Sequence, residues 1–326
     1  MGGDDVTRRE FLQVVGLLAS TGAATQLSGC RHGRAEQSPD SIVDATFARL
    51  ALHYVHAPST SLRGKLLDHP ALEAIERHAQ MSGDRASKAE LLDRVLRNTT
   101  ETTPSSVVLD AWEGRTSELA ARANLAKELL PAGAPSVRRI YLLTGYDIGV
   151  AAPPDILLNV IHPHFQSAPT ELGFYATHEA HHVGLIGIRP PPALSGLETS
   201  QHLLSVVRYF TQLEGMAVHA AFPSRSRDGA LGDDGDYRVY GDPQARAEVM
   251  SGYKKLFEEI RRSTVLADDT IGRILTGMSS GDRLWYRFGA IVANVIEKTH
   301  GRQQLVATVT TPDAFDAVAD NLLAKA

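Results

Sequence analysis

The run His178-Glu179-Ala180-His181-His182 limits what this chain can fold into more than any other feature. His178 and His182 stand four residues apart, and on a helix that spacing puts two side chains on one face, one turn apart. Both imidazoles can then grip one metal ion. The intervening Glu179 is left free to act on a water at that ion. The segment therefore has to be helical if the histidines are to work together.

A hydrolytic zinc site needs three protein ligands and one open position. The helix supplies two, and the candidates for the third are Glu198, Glu214, His202 and His219. Glu214 lies in Leu213-Glu214-Gly215-Met216-Ala217, where two small residues let one helix pack closely on another. Glu198 stands sixteen residues earlier, roughly 24 Å away along a straight helix, so both cannot reach one ion. Glu214 is the expected ligand. His181 should point away from the metal face, as a packing or supporting residue. His162 and His164 read as loop residues.

An H-E-x-x-H run followed on a later helix by Glu in an E-G-x-A setting resembles the gluzincin class of metallopeptidases, in particular its predicted bacterial Zn-dependent peptidases. The resemblance spans about residues 137–220. It extends more weakly to Trp285-Tyr286-Arg287-Phe288-Gly289, which is similar to the Tyr-x-x-Gly helix following the third ligand in such proteins. It implies that His178, His182 and Glu214 bind Zn2+ and that Glu179 is the general base, with a peptide or protein as substrate. Tyr286 is the first candidate for the oxyanion donor, ahead of His219 and Arg287. Thermolysin-like members often carry Asp four residues beyond the third ligand. Val218 stands there in this chain, so the group that orients the ligands is unassigned.

Around this motif the pattern is α+β and predominantly α-helical: a zincin-like arrangement with a small β-sheet and an active-site helix. Apolar residues recur at helical spacing from about 44 to 130, as in Leu91, Leu92, Val95 and Leu96. The stretch Pro131 to Pro135 ends that region. Ile140 to Leu143 and Asp155 to Ile161 read as strands in a hairpin-like pair, with turn material from Gly145 to Pro154 between them. The first strand is expected to offer its edge to an extended peptide. Thr170 is the expected N-cap of the motif helix, which should run to about Val183. A long helix should follow from Leu197 to Ala221, then a loop from Pro223 to Gly241. Further helices are expected from Asp242-Pro243, from Asp282 and from Thr311-Pro312. The acidic run Asp233 to Asp236 does not have EF-hand spacing and reads as a solvated excursion.

The N-terminus reads as an address. Thr7-Arg8-Arg9-Glu10-Phe11-Leu12-Gln13 resembles a twin-arginine export motif, and Leu27-Ser28-Gly29-Cys30 resembles a bacterial lipobox. Residues 1–29 would be a signal peptide, and Cys30 the lipidated residue anchoring the chain to the cell envelope on its periplasmic or extracytoplasmic face. Residues 30–41 would be a flexible tether, 42–135 a helical N-terminal region and 136–326 the zincin-like catalytic region. Cys30 is the sole cysteine, so a lipidated chain has no disulfide.

A chain of 43% hydrophobic and 22% charged residues is globular in composition, and a net charge of −5 argues against a nucleic-acid partner. Three functions remain open at this point. They are a zinc metallopeptidase, a zinc hydrolase of a non-peptide amide or ester, and a non-catalytic envelope lipoprotein on a zincin scaffold. An intact Glu179 favours catalysis.

Overall fold

The computed structural model describes residues 42–102, 105–194, 197–232 and 234–326. The export motif, the lipobox with Cys30, the tether and Asp233 lie outside these residues. Among the described residues, six helices lie early in the chain: α1 (Thr46–His56), α2 (Thr60–Leu67), α3 (Pro70–Met81), α4 (Lys88–Glu101), α5 (Val107–Glu113) and α6 (Thr116–Asn124). The turn of Ser87 and Glu90 at the start of α4 is a full capping box, each residue satisfying the other's backbone N–H.

Four short strands make one mixed sheet: β1 (Val43–Asp44), β2 (Arg139–Leu143), β3 (Gly149–Ala152) and β4 (Asp155–Asn159), in the order β1-β2-β4-β3. Both expected strands form, but not as a hairpin. β2 and β4 run parallel, with Ile140 opposite Ile156. The hairpin partner of β4 is β3, which occupies what reads as turn material; Val150 stands opposite Leu157. The short run Gly149 to Ala152 carries too little pattern to stand out from the glycines and prolines around it. β2 is also flanked on both sides, so the free edge next to the motif helix belongs to β3 and not to β2.

Alternate strand residues go to opposite faces. Tyr141, Leu143, Val150, Ala152 and Leu157 pack into a core with Phe47, Leu72, Ile75, Leu92 and Val95 from the N-terminal helices. Ile140, Leu142, Ala151, Ile156 and Leu158 face the main core. The sheet is thus covered on both faces, which is why its strands read as unbroken apolar runs.

The main core is helical: α7 (Pro163–Ser167), α8 (Glu171–Ile188), α9 (Ser200–Arg227), α10 (Pro243–Arg262), α11 (Asp268–Ser279), α12 (Leu284–His300), α13 (Arg302–Ala307) and α14 (Pro312–Lys325). The His162-Pro163-His164 stretch opens α7, with Pro163 in its first turn. α8 extends past Val183 and stops at Arg189, before Pro190. Thr170 does not cap it: the residue is helical itself and makes no side-chain cap. α9 carries Pro223 inside its last turns rather than ending before it. Asp242 caps α10 as expected, accepting from the backbone N–H groups of Gln244 and Ala245.

α8 is buried on nearly every side. It is packed between β3 and β4, α6 and α9. Its tight neighbours demand small residues, since a side chain on Gly184 would strike Leu130 and one on Gly187 would strike Pro135. α9 in turn packs along α12.

Candidate metal centre

α8 and α9 bring the expected ligands to one point. Oε2 of Glu214 lies 3.1 Å from Nε2 of His178 and 3.1 Å from Nε2 of His182. The two imidazole rings meet edge-on with centroids 4.5 Å apart, so their nitrogens converge. A ring nitrogen of His178, a ring nitrogen of His182 and a carboxylate oxygen of Glu179 also lie within 4.8 Å of one another, so Glu179 stands beside the same point. The donor set suits zinc: two imidazole nitrogens and a carboxylate oxygen. A tetrahedral ion with bonds near 2.1 Å spaces its ligand atoms about 3.4 Å apart, close to the 3.1 Å between Glu214 and each histidine.

Water is largely shut out. The side chains of His182 and Glu214 are 3% exposed and that of His178 is 15% exposed, so His178 marks the open side. Burial raises the affinity of the Glu214 carboxyl for its proton, but His182 and His178 more than offset this and hold it well below the usual carboxylate range. Burial pulls the His182 imidazole down, and the Glu214 carboxylate beside it leaves the net shift upward. Glu179 is pushed up by burial, against the pull of His182 and His178.

The position of Glu179 is set by the sheet. Asn159 N–H donates to the carbonyl of Ile148, and from that register Val150 and Ala152 also pair with β4. Gly149 and Ala151 therefore turn their backbone groups to the free edge. The Ala151 N–H is used by Glu179. Gly149 brings the backbone close to the same carboxylate: a β-carbon there would lie 3.5 Å from Glu179 Oε1 and 3.1 Å from the Tyr175 ring.

Tyr286 on α12 does reach the site. Its ring stacks on that of His178, with centroids 6.3 Å apart and planes 17° from parallel. Burial, and then the nearby Glu214, push the Tyr286 phenol well above its ordinary value, so it stays protonated. Tyr175, one turn before His178, also lies against it, with ring centroids 6.5 Å apart. The guanidinium of Arg283 rests 3.8 Å from the centre of the Tyr286 ring. Tyr175 and Arg283 carry no motif, although Tyr175 stands three residues from His178 on the same helix and so shares its face.

The other candidates are elsewhere. Glu198 is exposed ahead of α9, and His202 bonds the carbonyl of Ala193. His219 lies between Tyr240 and Glu297, 2.9 Å and 2.7 Å away. His181 is fully buried, and burial lowers its imidazole to about 3, which keeps it neutral. His164 approaches Glu171 at 3.3 Å. The Nδ1 of His182 is buried with no hydrogen-bond partner among the described residues. Val218 is buried and apolar. The carboxylate that orients a ligand in thermolysin-like proteins has no counterpart at that position.

With this geometry in place, comparison with known proteins adds one match. Residues 77–316 match the model of a family described as "Putative zinc dependent peptidase (DUF5700)". No curated protein and no solved structure matches the chain.

Proposed function

The chain belongs to this family, whose model matches most of its length, and we propose that it is a zinc-dependent peptidase that cleaves peptide bonds at the α8–α9 centre as a gluzincin-type hydrolase. One observation carries the reading: a single Glu214 oxygen lies at hydrogen-bond distance from the Nε2 atoms of both motif histidines. His178, His182 and Glu214 are the zinc ligands in this proposal. Zinc at such a centre polarises a carbonyl and makes water a nucleophile near neutral pH.

The chain's own residues do the remainder. Glu179 takes the proton from the attacking water and passes it to the leaving amine. Its raised proton affinity suits both halves of that task. Tyr286 stays protonated beside His178 and donates its hydroxyl hydrogen to the developing oxyanion. The free edge of β3 at Gly149 aligns an extended substrate by strand addition. The export motif and Cys30 make this an envelope-tethered enzyme, an assignment that mass spectrometry of the N-terminal peptide from membrane fractions tests. No helix among the described residues is long and apolar enough to cross a membrane.

The decisive experiment is zinc content together with hydrolysis of an unfolded protein such as casein. The protein should hold one zinc per chain and cleave casein. Glu214→Ala should lose both properties, whereas Glu198→Ala should keep both. Full zinc in Glu214→Ala would overturn the ligand set.

A further inference from the structure

Next to the metal centre stands an arginine pair whose construction a purely structural role does not explain. Arg283 is the sole non-glycine residue with positive φ among those described, at φ 52° and ψ 43°. That backbone conformation is costly for a side chain of this size, and such strain collects at ligand-binding sites. Its guanidinium is fixed twice over. One face lies on Tyr286. Its edge donates to the buried carboxylate of Asp236, from Nε at 2.9 Å and Nη2 at 2.7 Å.

Asp236 also accepts from Nε of Arg287 at 3.0 Å. Two guanidinium groups thus share one carboxylate. The nearest further acid on that loop, Asp234, faces Arg225 at 3.5 Å. Arg225 shows what a structural arginine looks like here. It is 2% exposed, paired with Glu171 and bonded to the Ala230 carbonyl. Arg283 and Arg287 instead leave 37% and 27% of their side chains exposed. Neither Nη1 hydrogen-bonds a described residue.

We propose that Arg283 and Arg287, locked by Asp236, form a subsite for a carboxylate of the substrate. The planar fork of an arginine with unspent donors matches a carboxylate. Arg283 lies one aromatic ring from His178. A chain at roughly 3.3–3.6 Å per residue spans that interval in two or three residues. The carboxylate is therefore either the substrate's C-terminus shortly beyond the cleaved bond or an acidic side chain near it. This rests on the peptidase reading for its meaning but not for its test.

The test is equilibrium binding by calorimetry to protein carrying Glu179→Gln, with and without zinc. Three probes suffice: acetyl-tetraalanine with a free C-terminus, its C-terminal amide, and that amide with Glu as the third residue. One of the two carboxylate probes should bind about ten-fold or more tightly than the plain amide. Preference for the first identifies a C-terminal carboxylate, and preference for the third an acidic side chain. Arg287→Gln should abolish the preference and Arg287→Lys should restore part of it. That rescue distinguishes lost charge from a disturbed fold.

Equal binding of all three probes overturns the subsite. So does a preference that survives both Arg283→Asn and Arg287→Gln, or one that vanishes only when zinc is removed, which places the carboxylate on the metal. A protein that prefers carboxylates but cleaves no peptide keeps the subsite and refutes the peptidase reading. One that cleaves peptides without regard to carboxylates does the reverse.

Discussion

Gly215 and Gly289 meet backbone to backbone where α9 crosses α12: a β-carbon on Gly215 would lie 2.2 Å from the Cα of Gly289. From the other side, a β-carbon on Gly289 would lie 2.7 Å from the Cα of Gly215 and 1.9 Å from the Thr211 carbonyl oxygen on the same helix. Gly215 directly follows Glu214, and Gly289 comes three residues after Tyr286. This crossing therefore sets how far Glu214 stands from the tyrosine stacked on His178.

Gly289→Ala should force the helices apart. Overpacking of this kind costs about 1–3 kcal/mol, so the melting temperature should fall by several degrees, read by calorimetry. Hydrolysis should fall further than zinc content, because Tyr286 moves and the ligand set stays together. An unchanged melting temperature would mean that the crossing accommodates a methyl group.

Glu179→Gln removes the proposed proton acceptor and leaves His178, His182 and Glu214 in place. Zinc content should remain near one per chain, while the rate should drop on the order of 10²–10⁴-fold. A variant that retains most of its activity would exclude Glu179 as the base.

The β3 edge is tested by comparing two substitutions of Gly149. Both Gly149→Ala and Gly149→Pro add a β-carbon against Tyr175 and Leu158, but only proline removes the outward N–H. Gly149→Pro should raise KM for peptides more than Gly149→Ala does, with zinc content equal in both. Equal KM values would count against strand addition at this position.

Acid stability should depend on Glu297. The hydrogen bond from His219 holds its carboxyl down to about 2, with Arg302 adding to the effect against the cost of burial. A depressed carboxyl stabilises the fold fully above its unfolded value near 4.5 and loses that contribution as pH falls toward 2. In melting curves between pH 5 and 2, Glu297→Gln should flatten part of the decline. Parallel curves for the two proteins would show that the pair does not contribute.

Much of the candidate site was legible because the juxtaposition it needs is written in local spacing. His178, Glu179 and His182 needed only a helix, and Glu214 only a second one with small residues to bring it close. The hairpin strand β3 was not legible: its four residues are fewer than any periodicity needs, and Gly149 looks like turn material until its neighbours are known. Arg283 was hidden for another reason. A left-handed backbone and a guanidinium laid on a ring are properties of a packed neighbourhood, and a lone arginine at the start of a helix announces neither.

By itself, then, the sequence determined the predominantly helical α+β class, the motif helix and a short set of ligand candidates, because helical periodicity and ligand spacing act over a few residues. Only the tertiary structure decided which of Glu198, Glu214, His202 and His219 reaches the histidines, and which strand edge lies against Glu179. It alone shows that Arg283 and Arg287 share Asp236 beside them. Those relations join residues dozens of positions apart, and they are set by how closely α8, α9 and α12 can pack, which no local pattern records.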